Sequence, residues 1–93
     1  MKRAEYKIPG GKLLAAELTV EGDRMVGVKI TGDFFMHPET AIIELEKALE
    51  NSPTAELEDT VNRFFKDNDI TLFGVQIGDF VKVIRMALES KGG

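Results

Sequence analysis

The chain is predicted to fold as an α+β domain, a three-stranded antiparallel sheet with about three helices packed on one face. Apolar residues alternate through residues 3–32, recur at helical spacing through 39–90, and change period in one stretch, Gly32 to Pro38. A strand half followed by a helix half, rather than strands and helices in turn, is the order of an α+β arrangement. At 93 residues the chain has room for one domain, taken as 1–93.

Leu14, Ala16, Leu18 and Val20 share one face of a strand that starts after Lys12, and Val26, Val28 and Ile30 share a face of the next. Opposed residues lie on the same side of a sheet. A two-residue Gly22-Asp23 turn would set Val20 against Met25, so joining the two apolar faces calls for three or five loop residues around Gly22. One such register opposes Leu18 to Val28 and Glu17 to Lys29, an opposite-charge pair on the wet face. Upstream, Tyr6 and Ile8 alternate before Pro9-Gly10-Gly11. A three-residue loop there sets Tyr6 opposite Leu14, with Pro9 fixing φ and Gly11 taking the left-handed conformation.

Ala41, Ile42, Leu45, Ala48 and Leu49 form the stripe of a first helix near 38–50, with Pro38 at its first position. Ser52 and Pro53 punctuate, Thr54 can cap, and Leu57, Val61, Phe64 and Phe65 stripe a second helix ending around Asp67-Asn68. Ile70 to Val75 is too short for periodicity to decide between an extended segment and a packed connector. A third helix from about Ile77 to Ser90 buries Phe80, Ile84, Ala87 and Leu88 and turns Lys82, Arg85 and Glu89 outward. The three helices are expected to cover the even-numbered sheet face, leaving the other face wet or open to a partner.

Composition removes several function classes. Twelve Lys and Arg against sixteen Asp and Glu give a net charge of -4, the wrong sign for a protein whose affinity rests on phosphate neutralisation, so no nucleic-acid partner is expected. The absence of Cys and the single His exclude thiolate zinc sites, iron–sulfur clusters, disulfides and Cys nucleophiles. No apolar run approaches the ~20 residues that span a bilayer and no leader is evident, so a cytoplasmic protein with no membrane partner is expected.

Three constellations remain. In Pro9-Gly10-Gly11-Lys12 the glycines allow close backbone approach to a phosphate or carboxylate, and Lys12 supplies a point charge; the same residues also suffice to build a hairpin loop. In Gly32-Asp33-Phe34-Phe35-Met36-His37-Pro38 the two adjacent Phe cannot both face inward on an extended segment, so one is left for solvent or a partner. Asp33 can orient His37 as a base, but no nucleophile accompanies the pair. The structural alternative puts Asp33 in a turn and His37 at a helix N-cap. The helical carboxylates, among them Glu46 and Glu50 one turn apart, are expected to be a solvated face.

The stretches Lys7-Ile8-Pro9-Gly10-Gly11-Lys12-Leu13, Gly32-Asp33-Phe34-Phe35-Met36-His37-Pro38-Glu39, Phe73-Gly74-Val75, Asp79-Phe80 and Ala87-Leu88-Glu89 together resemble the small accessory subunit of two-component lipoate-protein ligases. That subunit is itself similar to the C-terminal domain of single-chain lipoate-protein ligases. The resemblance covers nearly the whole chain. It implies a subunit that is non-catalytic alone and binds no cofactor alone, needed with a catalytic large subunit that handles ATP, magnesium and lipoate. Their joint product is lipoyl-adenylate, consumed in lipoylating a lysine of a lipoyl domain or of the glycine-cleavage H protein. The large subunit's Arg-Arg-x-x-Gly-Gly-Gly motif and catalytic Lys are absent here. On this resemblance Gly10, Gly11 and Lys12 lie near the nucleotide, and Asp33, Phe34, Phe35 and His37 meet the partner. Gln76-Ile77-Gly78 departs from the Ser or Thr cap expected before the third helix, which implies a weaker helix start. A rival from another class is a stand-alone adaptor binding a protein through the open sheet face. A third is a small enzyme built on Asp33 and His37.

Overall fold

The hairpins order the chain first, and the computed structural model describes residues 1–10 and 12–90. Strands β1 (Lys2–Lys7), β2 (Leu13–Glu21) and β3 (Arg24–Gly32) form an antiparallel sheet in the order β1-β2-β3. Tyr6 stands opposite Leu14, and the Ile8 N–H donates to the Lys12 carbonyl at 2.7 Å, closing the expected three-residue loop. Gly10 has φ +106° there, while the conformation assigned to Gly11 lies outside the described residues.

The second hairpin corrects the expected loop length. Its turn is two residues, Gly22-Asp23, with Glu21 opposite Arg24 and Val20 opposite Met25. Glu17 nevertheless faces Lys29, because the register shifts by one residue between Glu17 and Thr19. The parity constraint is met by a bulge at Gly27 rather than by the loop. At φ +66° Gly27 takes a conformation that costs L-residues, which carry a Cβ, roughly 1–2 kcal/mol. The consequence is that Met25, not Val26, joins Val28 and Ile30 in the core. Glu17 pairs with Arg3 at 3.4 Å instead of with Lys29, and Arg3 also holds Glu5 at 2.9 Å. Those two carboxylates, Glu5 foremost, raise the Arg3 pKa.

Helix α1 (Ala41–Leu49) starts later than expected. Residues 35–37 are a strand, β4 (Phe35–His37), that pairs antiparallel with β5 (Thr71–Phe73), so the chain stays extended through His37 and turns over 38–40. His37 is thus a strand residue and not a helix cap, and Pro38 lies in that turn and not at the first helical position. The His37-Pro38 peptide bond is cis. Thr54 opens a 3-10 turn, Thr54–Glu56, that leads into α2 (Leu57–Asp67). Helix α3 (Ile77–Glu89) follows β5, and its start is firmer than its sequence implied. Asp79 Oδ2 accepts the Gln76 N–H at 2.8 Å, half of a capping box with Gln76 in place of Ser or Thr.

The three helices share one core with the sheet, as expected, and two of them make most of the contact with it. Helix α3 packs on β1 and β2, α1 packs on β3, and α2 bridges the two helices. Leu14, Leu18, Met25, Leu45, Leu49, Val61, Phe80 and Ile84 are fully enclosed between these layers. Phe80 is the hub, with the Phe34 ring edge-on at 5.4 Å and the Phe65 ring stacked at 5.7 Å.

Glu50 is exposed and Glu46 half-buried, and both also bond the sheet edge. Glu46 Oε2 accepts the Ile30 N–H at 2.8 Å, and Glu50 accepts the Gly27 N–H at 2.9 Å. Just beyond them, Asn51 and Ser52 exchange backbone hydrogen bonds with Met25, so the outer edge of β3 is occupied by α1 and the chain leaving it. This is how an edge strand is closed to further pairing. Glu46→Ala leaves the Ile30 N–H without its acceptor and is expected to cost about 1–2 kcal/mol in urea unfolding, with Glu46→Gln losing clearly less because it keeps a carbonyl oxygen.

Candidate functional site

Lys12, the residue before β2, lies against the chain just beyond β5. Gly74 lies beneath it. A Cβ built on Gly74 would stand 3.4 Å from Lys12 Cε and 3.6 Å from its Cγ, so the lysine stem occupies the side where any other residue carries a side chain. Gly74 has φ +82°, which favours glycine independently of the contact. The stem therefore lies along backbone, and the residue remains exposed at the surface.

Around that contact is an open cleft of about 740 Å³ lined by Tyr6, Pro9, Gly10, Lys12, Gly74 and, from the start of α3, Gln76 and Asp79. Ile8, Leu72 and Val75 give it an apolar floor. Lys82 stands over the Tyr6 ring at 4.6 Å from its centre, so that cation has an aromatic partner. Lys12 and Gly10 line the same cleft, and Gly11 falls outside the described residues. Among the described residues, no three His, Cys, Asp or Glu side chains converge to hold a metal.

The second predicted group divides. Phe34 is half-buried and packs on Phe80, whereas Phe35 is 73% exposed, as two adjacent Phe on an extended segment require. Asp33 and His37 are both exposed, and no hydrogen bond joins them, so the base-orienting pair is not formed. Asp33 donates its N–H to the Leu13 carbonyl at 2.9 Å, which ties this seam to the start of β2, one residue from Lys12. Sequence reasoning missed Phe73 and Gly74 as site residues. The signal was their recurrence among the stretches that carry the resemblance, but the six-residue apolar run around them gave no period.

No family model matches the chain. It is 35% identical over 74 residues to lipoate-protein ligase A subunit 2 of Thermoplasma acidophilum, covering 80% of this chain and 78% of that protein. The chain belongs to the family of second subunits of lipoate-protein ligase. A solved structure of an archaeal lipoylation system from Thermoplasma acidophilum, a bipartite lipoate-protein ligase with its E2 lipoyl domain, contains a chain with the same fold. The TM-score is 0.83 at 30% identity, over 91% of this chain and 96% of that one. The accessory-subunit role implied by the sequence stands, and a stand-alone adaptor unrelated to lipoylation is not favoured. The open sheet face that such an adaptor would use is charged and internally paired through Arg3, Glu5 and Glu17. Among the described residues, no helix is long and apolar enough to cross a membrane.

Proposed function

We propose that this ligase second subunit completes the adenylation site of its catalytic partner, presenting Lys12 from the Gly10–Gly74 cleft toward the nucleotide. The observation that supports this most directly is the Lys12 stem laid across Gly74, which holds an exposed lysine in a cleft whose walls come from three of the stretches carrying the family resemblance. The catalytic subunit is the partner, and it supplies the sites for ATP, magnesium and lipoate. Since no metal-holding group converges among the described residues of this chain, no magnesium step is assigned to it.

When bound by the catalytic subunit, ATP supplies the adenylyl group that activates the lipoate carboxylate: a carboxylate oxygen bonds to the α-phosphorus as the bond from that phosphorus to pyrophosphate breaks, and pyrophosphate leaves. This chain's part is electrostatic and positional. A held ammonium offsets negative charge gathering on the phosphates without having to be reorganised during the reaction, and the exposed Gly10 backbone permits close approach. Asp33, Phe35 and His37 lie on the adjoining seam and face the catalytic subunit, while Phe34 belongs to the core. The assembled pair acts in the cytoplasm, where ATP is available, on lipoyl domains and on the glycine-cleavage H protein.

Lys12→Ala tests this in the reconstituted pair. The expected result is a roughly 10- to 100-fold slower formation of lipoyl-adenylate from ATP and lipoate, with little change in lysine transfer from supplied lipoyl-adenylate. Single-turnover measurements separate the two steps. Equal slowing of both rejects the assignment of Lys12 to adenylation.

A further inference from the structure

We propose that the outward face of the β4–β5 ribbon, anchored by Phe35 and Phe73, is the surface on which the catalytic subunit docks, an apolar pocket of that subunit closing over the two rings. The proposal rests on the accessory role above and identifies where the two chains meet.

Phe35 and Phe73 are directly opposed in the ribbon, so their side chains leave it on the same side. They are 73% and 58% exposed. The ribbon's other row, Met36 and Leu72, already packs toward the core, so the fold does not need the outward pair for its own stability. An outward row on a ribbon with one buried face is ordinarily polar, and the next pair, His37 and Thr71, follows that rule. The aromatic pair is therefore a local exception. Each ring can bury roughly 150–250 Å² when covered, and large aromatics at the centre of a patch are the usual anchors of protein interfaces.

Position selects the occupant. Phe73 directly precedes Gly74, against which the Lys12 stem lies, so a chain seated on the two rings is one residue along the backbone from the wall of the Lys12 cleft. A site shared between two chains requires that adjacency, and a second copy of this chain would bring no adenylation machinery to it. The charged outer face of the three-stranded sheet offers no comparable apolar anchor, since Arg3 and its two carboxylate partners satisfy one another there.

The test uses the full chain with Phe35→Ser and Phe73→Ser together, titrated against the catalytic subunit by calorimetry, with a thermal melt to establish folding. Expected is a folded variant whose Kd is at least roughly 100-fold weaker, the scale of losing two anchor side chains. Hydroxyl-radical labelling of the native pair gives a second readout that needs no substitution: labelling of both rings should fall on assembly. A folded variant that binds as tightly as the native chain overturns the anchor while leaving the accessory role intact, and so does ring labelling unchanged by assembly. Failure of the native chain to assemble with the catalytic subunit at all overturns both. Self-association of the native chain that the double substitution abolishes gives the rings to a second copy and also overturns the proposal.

Discussion

Phe80→Ala is expected to lower the free energy of unfolding by about 3–5 kcal/mol, enough to leave a chain of this size largely unfolded at moderate temperature. Phe80 is fully enclosed, and its ring is the meeting point of three elements: α3 carries it, Phe65 of α2 stacks on it, and Phe34 meets it edge-on from the segment before β4. Truncation removes the apolar burial, two aromatic contacts and the reason for Phe34 to turn inward. Partial collapse is limited, because Leu14, Leu18 and Ile84 around it are themselves fully enclosed. Urea unfolding followed by far-UV circular dichroism measures the loss. Phe80→Leu keeps most of the volume and is expected to lose less than half as much. If Phe80→Ala lost under about 1.5 kcal/mol, the hub assignment would be wrong.

Residue pattern exposed most of this fold because its strands and helices bury one face each. Leu14 to Val20 and the stripes of the three helices could hardly be arranged otherwise. The second hairpin shows where pattern stops. Parity demanded one extra residue somewhere between Val20 and Ile30, and the sequence offers two places to put it: the loop at Gly22 or a bulge at Gly27. Both are glycines with space around them in the folded chain, and both take positive φ. Only the pairing of the edge with α1, through Glu46 and Glu50, distinguishes them, and that is a contact between segments far apart in the chain. Those two glutamates look like any solvated helix face when read along the helix alone.

The ribbon was illegible for a different reason. Strands of three residues, Phe35–His37 and Thr71–Phe73, are too short to show alternation, and neither is stable without the other. Their pairing decides the site. It brings Phe73 and Gly74 from late in the chain beside Lys12 and Phe35 from its first half, turning two unremarkable turns into one surface. The exposure of one of the two adjacent Phe could be foreseen, because an extended backbone alternates its side chains. That a second Phe would stand opposite it could not.

Gly32→Ala is expected to cost about 2–4 kcal/mol, a large effect for the addition of one methyl group. Gly32 closes β3 opposite Leu14. A Cβ there would press on the Leu13 carbonyl oxygen and stand 3.1 Å from Leu14 Cα and 3.2 Å from the Phe34 ring. The ring can swing aside, but the other two contacts are backbone at the start of β2, where Leu14 is paired with both Tyr6 and Gly32. Relief requires the end of β3 to part from β2, which breaks the hydrogen bond from the Asp33 N–H to the Leu13 carbonyl. That bond fixes where the chain leaves the sheet and hence how Phe34 and Phe35 are divided between core and surface, so the variant should lose affinity for the catalytic subunit as well as stability. Gly78→Ala is the matched control. Nothing lies within 4 Å of its Cβ position in the first turn of α3, and it should be neutral or stabilise by up to about 1 kcal/mol through helix propensity. Urea titrations of the two variants should therefore move the unfolding midpoint in opposite directions, or move it only for Gly32→Ala. A Gly32→Ala chain as stable as its Gly78→Ala counterpart would mean that the sheet end yields to a methyl group, and the seam could not then be what holds Phe35 outward.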